Sequence, residues 1–333
     1  MRAGKVSESI LKRSVFKQIR HRREEVIVRP GVGIDCSAIQ LGEDEVVVLS
    51  TDPITGTKSE IGKLAIQITA NDIAAGGAEL VGVMLSILLP LKTSEARLKT
   101  LIKELEAECA ALNIEIAGGH TEVTAAVNQP VITVTGVGKI KRDQLDQLSG
   151  MKADQDIVMT KWAGLEGTAI IANDFEEELL TRYSKTFIDQ AKEFISSISI
   201  QKEARIAKEF EVTAMHDITE GGVFGALWEM AASANVGVEI ALKKIPLKQH
   251  TVELCEFYDL NPYLLISSGS LLLSTYRGSA LVAELQKQGI EACVIGKVTK
   301  GHERIIINED EVRYLEPPKS DELYKVADKR QRD

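Results

Sequence analysis

The chain has 333 residues, enough for two domains of ordinary size, and 44% hydrophobic against 27% charged residues is a globular balance, not that of a disordered chain. Forty lysines and arginines against 49 aspartates and glutamates leave a net charge of −9, which argues against a nucleic-acid binder with its basic face. The N-terminal stretch has no uninterrupted apolar core of signal-peptide type. The longest apolar run, Leu80 to Leu91, falls short of the roughly 20 residues that span a bilayer, so no membrane association is expected.

Taken in chain order, residues 6–20 read as an amphipathic helix with Ile10, Leu11, Val15, Phe16 and Ile19 on one side. Val26 to Val28 reads as a strand, and Ser37 to Ser50 as a hairpin turning at Gly42-Glu43-Asp44. A helical segment from Ser59 leads into a second one beginning at the capping residues Asn71 and Asp72 and closing at two glycines. Leu80 to Leu89 is apolar on both faces and predicts a buried strand. Thr93 to Leu112 predicts a helix capped by Ser94. Strands follow at Ile114 to Ala117, stopping at Gly118-Gly119, and at Pro130 to Ile140.

The polar stretch 141–156 is the expected junction, giving a domain over residues 1–150, a second over 151–318 and a charged, solvated tail over 319–333. The second domain carries a strand at Ile157 to Thr160 and helical runs from about 166 to 210. TAMHD and an alanine-rich helix from Gly222 come next, and then alternating strands and helices to Val298. Mixed hairpins and crossover helices make the class α+β. The four cysteines are scattered without any CxxC pair, which suits a reducing compartment, and the cytoplasm is the expected location.

Four carboxylates sit beside glycines where strands or helices meet loops: Asp35 in GVGIDCSA, Asp52 in LSTDPITG, Asp72 in TANDIAAGGA and Asp217 in AMHDITEGG. Magnesium takes oxygen ligands, usually one or two carboxylates, while phosphates and waters complete its shell. Glycines beside the acids let backbone N–H groups approach a phosphate. The pattern therefore points to Mg–ATP. Each acid also has a plainer reading, as a helix cap or turn former, and GVG matches no nucleotide fingerprint.

In order, GIDCSAI, STDPITG, GKLAIQITANDIAAGGA, GGHTEVT, GLEGTAIIA, HDITEGGV and NPYLLISSGSLLL resemble the aminoimidazole ribonucleotide synthetase (PurM-like) superfamily from about residue 30 to 298. Its members include thiamine-monophosphate kinase, selenophosphate synthetase and the hydrogenase maturation factor HypE, and the sequence is most similar to the HypE-like group. The resemblance implies a two-domain PurM-like α+β fold. An N-terminal ATP-binding domain would dimerise into a shared β-barrel, followed by a C-terminal α/β domain of mixed sheet and helices. It also implies that Asp35 belongs to a mobile nucleotide loop, and that Asp52 and Asp72 bind the metal. Lys63 lies near the phosphates, with a solvated helix position as its alternative. Asn71 orients Asp72. Gly118, Gly119 and Thr121 form the glycine-rich turn, and Asp217 stands at the substrate cleft.

The chain departs from that pattern in places. GGHT stands where relatives have GGDT or GGET, so Glu122 is the candidate replacement ligand and His120 a candidate phosphate contact or acid–base. Glu220 replaces the arginine of the hydrogenase factor's DPTRGG segment, and the last cysteine is Cys293, whereas that factor works through a cysteine at its C-terminus. The carbamoyl-dehydratase chemistry is therefore not expected to carry over unchanged.

The expected function is an ATP-dependent enzyme of a homodimer that phosphorylates an oxygen of a small-molecule or protein-borne amide or carbonyl, in hydrogenase or metalloenzyme maturation with a partner. The alternatives are an ATP-binding scaffold or sensor without turnover, and a small-molecule kinase resembling thiamine-monophosphate kinase.

Overall fold

A computed structural model describes residues 4–5, 8–29, 38–54, 61–317 and 320–330. The chain forms two compact units: residues 1–74 with 78–142, and residues 75–77 with 143–333.

The first unit runs β1 (Gly4–Lys5), α1 (Glu8–Ile10) with a π-helical turn Leu11–Phe16, β2 (Val26–Val28), β3 (Ala38–Ile39) and β4 (Glu45–Ile54). α2 (Ile61–Ala75), β5 (Glu79–Pro90), α3 (Glu95–Ala111), β6 (Glu115–Thr124) and β7 (Val131–Lys141) complete it. Five strands make an open sheet in the order β1-β6-β5-β7-β4. One chain thus closes no barrel among the described residues.

Alternation along β7 buries Ile132, Val134, Gly136, Gly138 and Ile140, and α2 lies on that face. The two glycines let it come close: a Cβ on Gly136 would stand 2.6 Å from Thr69 Cγ2, and one on Gly138 2.6 Å from Ile73 Cγ2. α3 is capped as expected, with Ser94 Oγ accepting from Arg97 N at 3.1 Å, and it buries Leu98, Leu101, Ile102 and Leu105.

Several expectations need correcting. β3 pairs with β2 and β4 with β7, so no hairpin joins them at Gly42. The two helical segments are one continuous α2, because a buried stripe of Ile66, Thr69, Ala70, Ile73 and Ala74 runs straight through Asn71-Asp72. Packing overrides the capping preference of those two residues. β6 does not stop at Gly118-Gly119 but passes through them. Gly119 has φ +144° and a Cβ there would lie 2.0 Å from Leu85 O, so the strand continues only because a glycine is present. The helix expected over 6–20 is limited to α1 and its π turn.

The second unit begins with α4 (Arg142–Gln147), within the expected junction, then β8 (Asp156–Thr160), α5 (Leu165–Asp174), α6 (Glu176–Leu179), α7 (Lys185–Lys192) and α8 (Gln201–Ala207). β9 (Ala214–Asp217), α9 (Gly222–Ser233), β10 (Gly237–Ala241), α10 (Gln249–Tyr258), β11 (Leu271–Thr275), α11 (Gly278–Lys287) and β12 (Ala292–Thr299) follow. β13 (Arg304–Asn308), β14 (Glu311–Tyr314) and α12 (Leu323–Arg330) end the chain. The mixed seven-stranded sheet has the order β14-β13-β10-β12-β8-β11-β9, with Ile157, Met159, Ile240 and Leu272 in its core. Residues 320–326, expected to be a solvated tail, are instead docked: Val326 is buried among Ile171, Leu179, Tyr258 and Leu260.

Gly136→Ala should destabilise the first unit by about 1–3 kcal/mol, as overpacking does when a helix and sheet are this close. Urea unfolding of wild type and variant measures it; an unchanged midpoint would show that α2 shifts freely.

Candidate active site

In the first unit, register and helical phase bring two of the predicted acids together. Ser50 and Asp52 lie two apart on β4, opposite Gly136 and Val134, so both belong to the face that α2 covers. Asp72 lies on α2 itself. The Ser50 hydroxyl reaches both carboxylates, Asp52 Oδ2 at 3.1 Å and Asp72 Oδ2 at closer range. A hydroxyl has one proton, so it serves two anions with a single donor. Two carboxylates held this near one another repel unless a cation or proton lies between them. Asn71, beside Asp72, is fully buried. Ser50 was not among the residues read from the sequence, although its spacing of two from Asp52 places it on the same strand face.

The other predicted residues lie elsewhere. Lys63 is nine positions before Asp72 on α2, which is ~13 Å along the axis and on the opposite side of the helix. Thr121 is on the covered face and buried, while Gly119 aligns through Leu85 and Val134 with Asp52 but is itself exposed. Gly118, His120 and Glu122 are on the other face, since His120 aligns through Ser86 and Thr133 with Pro53, the neighbour of Asp52. Grouping Glu122 with Asp52 and Asp72 around one ion is therefore corrected by strand parity. Glu122 Oε2 instead meets His120 Nε2 at 3.0 Å. Asp35 lies outside the described residues. Among the described residues, no three histidine, cysteine, aspartate or glutamate side chains form a metal-binding group.

The second unit holds Asp217 in a separate arrangement. It ends β9, which among the described residues is an edge strand paired only with β11, and is buried. His216 Nδ1 lies 2.5 Å from Asp217 O, and its Nε2 lies 3.3 Å from Glu229 Oε2, which fixes the ring beside the strand end.

Two further buried carboxyls accompany Asp217. Glu166, in the first turn of α5, is fully buried next to Ser268. Burial pushes its carboxyl up to about 7; Ser268 opposes the shift, while Asp321 and Asp217 add to it. Asp321 is 2% exposed, and burial raises it too, against hydrogen bonds from the N–H groups of Leu323, Gly221 and Ile266. The GLEGT motif gains its tightness from glycine: a Cβ on Gly167 would lie 2.4 Å from Leu265 Cγ. Glu166 stood within a quoted motif without being singled out. Asp321 had no sequence signal.

Comparison with known proteins places these motifs. The "AIR synthase related protein, N-terminal domain" family matches residues 33–140, and the "AIR synthase related protein, C-terminal domain" family matches residues 152–308. The chain belongs to the AIR synthase related family. It is 27% identical over 316 residues to a protein of Methanocaldococcus jannaschii named for hydrogenase expression and formation, covering 91% of each chain. It is 26% identical over 257 residues to the carbamoyl dehydratase HypE of Rhodobacter capsulatus, covering 75% of this chain and 73% of that one. The crystal structure of a hydrogenase maturation protein HypE in complex with ATP superposes with a TM-score of 0.79 at 18% identity, over 96% of this chain and 97% of that one. The two-domain PurM-like α+β fold is thereby shown. No described helix is long and apolar enough to cross a membrane.

The raised Glu166 carboxyl fixes a pH dependence. Its folded value of about 7 exceeds its ordinary 4.5, so the stability that its protonated form contributes is complete below about pH 4.5 and is lost as pH rises through 7. Above that, the folded state carries a penalty of up to about 3 kcal/mol. Glu166→Gln should remove the penalty, so urea midpoints compared at pH 5 and pH 8 should show a gain in the variant confined to pH 8. Parallel pH profiles would mean that Glu166 titrates like an ordinary surface acid.

Proposed function

We propose that this chain is an ATP-dependent enzyme that binds Mg–ATP at Asp52 and Asp72 and transfers a phosphoryl group to an oxygen of an amide or carbonyl acceptor. The observation that carries the reading is the Ser50 hydroxyl, with its one proton, shared between two carboxylates. The donor set fits magnesium: two carboxylates and a hydroxyl are hard oxygen ligands, with no soft ligand among them. Bound there, the ion would supply charge neutralisation on the phosphates, which is most of what phosphoryl transfer asks of a protein.

The chain's own residues do the rest. Asp52 and Asp72 hold the cation, and buried Asn71 keeps its stretch of α2 in place. Gly119, in register with Asp52, would bring the β6 backbone close to the nucleotide, with Thr121 beside it. His120, paired with Glu122, can hold or move a proton at Nε2. Asp217 orients the acceptor and takes its proton.

An amide oxygen is the acceptor class most in keeping with the relatives, since removing water from a carbamoyl group requires its oxygen to be made a leaving group. The relatives' names, carbamoyl dehydratase and hydrogenase expression/formation protein, support a role in hydrogenase maturation, where the acceptor would be borne by, or delivered from, a partner protein. A homodimer fits the uncovered face of the first sheet. There Val47 is 47% and Leu49 65% exposed on the edge strand β4, and the same face carries the His120–Glu122 pair.

Calorimetric titration of Mg–ATP tests the core of this reading. The wild type should bind, and Asp52→Asn and Asp72→Asn should each weaken binding by at least about tenfold, the scale on which metal sites respond to a lost partner. Phosphate release then separates turnover from a scaffold that only holds nucleotide. Undiminished binding by both variants would remove the metal assignment.

A further inference from the structure

Two of the motifs singled out in the second unit, HDITEGG and NPYLLISSGS, are joined by a residue outside both. Asp321 lies beyond residue 308, where the family match ends, on the segment leading into α12. Its Oδ2 accepts from Gly221 N at 2.8 Å and its Oδ1 from Leu323 N at 2.9 Å, and Ile266 donates a third backbone N–H. One buried carboxylate thus ties the loop after Asp217 to the loop before β11. The next residue reinforces the bridge: Glu322 Oε2 accepts from Asn261 N at 3.1 Å, and Tyr324 bonds the carboxylate of Glu220.

The Asp217 loop needs an external hold. Among the described residues β9 pairs on one side only, and after Ile218 N bonds Ser270 O the chain leaves the sheet. Gly221 and Gly222 then follow in succession with φ +85° and +62°, a left-handed pair that opens α9 without a side-chain cap of its own. Gly222 is pressed against the 263–265 backbone, a Cβ there lying 2.6 Å from Tyr263 O. The N–H of Gly221 faces inward, and Asp321 supplies the anionic acceptor that the start of a twelve-residue helix favours.

We infer that Asp321 is a positioning residue for Asp217: it fixes the four-residue loop between Asp217 and α9 and so sets the orientation of the carboxylate that faces the acceptor. The inference rests on the catalytic reading of Asp217 given above. It adds a residue from a distant part of the chain to a site otherwise built from the family's motifs.

The test uses the full chain and basal phosphate release from Mg–ATP, with water as acceptor. Asp321→Ala should lower kcat by about tenfold, since small misplacements of reacting groups have large effects on rate. KM for ATP should stay within about twofold, because the nucleotide is held by the first unit. Asp321→Asn keeps one oxygen for Gly221 N and should recover most of the rate. Amide hydrogen exchange at residues 218–222 should quicken in the alanine variant and much less in the asparagine variant. Wild-type kcat in Asp321→Ala, equal loss in both variants, or unchanged exchange at 218–222 would overturn the inference. A wild type that releases no phosphate, or an Asp217→Asn variant with full activity, would instead overturn the reading beneath it, while the exchange measurement still reports on the loop.

Discussion

Like charges do not gather in a protein interior without something to hold them, and this chain gathers carboxylates twice. In the first unit the Ser50 hydroxyl stands between Asp52 and Asp72. In the second, Glu166, Asp217 and Asp321 are all buried, and Asp321 and Asp217 add to the upward shift that burial gives Glu166. The means of neutralisation differ. Around Asp321, backbone N–H groups donate to the carboxylate, and burial favours the protonated form of Glu166. Around Ser50, one hydroxyl reaches two acids, and an oxygen cluster of this kind suits a divalent cation.

The close approach of α2 to the sheet makes the first arrangement possible. Asp72 can share a hydrogen-bond partner with a strand residue only because Gly136 and Gly138 let the helix sit against β7. The same packing keeps the helix continuous through Asn71-Asp72, so Asp72 is held in the last turn of a regular helix rather than on a loop. Placement on regular elements rather than on loop tips gives a binding carboxylate a fixed direction, which metal coordination requires.

Much of this was legible in the sequence, for identifiable reasons. The apolar run 80–89, the Ser94 cap and the alternation along 131–140 each carry a local signal, and the corresponding elements form. The acids beside glycines were likewise visible, and Asp52 and Asp72 do converge. What could not be read were long-range choices. The β4 strand ignores its neighbour β3 and pairs with β7, some 85 residues away, where Thr51 faces Thr135. Strand parity, which separates Glu122 from Asp52, depends on the bulge at Ala117 and on sheet order. Asp321 was illegible because a carboxylate that bonds backbone N–H groups leaves no partner side chain to recognise.

The edge strand β4 has a practical consequence for the isolated chain. Ten residues long and paired on one side among the described residues, it presents a row of backbone donors and acceptors next to the outward-facing Val47 and Leu49. Sheets extend readily at such borders, since each added strand satisfies backbone groups and hides apolar surface together. Association along this border therefore has a backbone route as well as an apolar one, and a charge or a proline on β4 would close it.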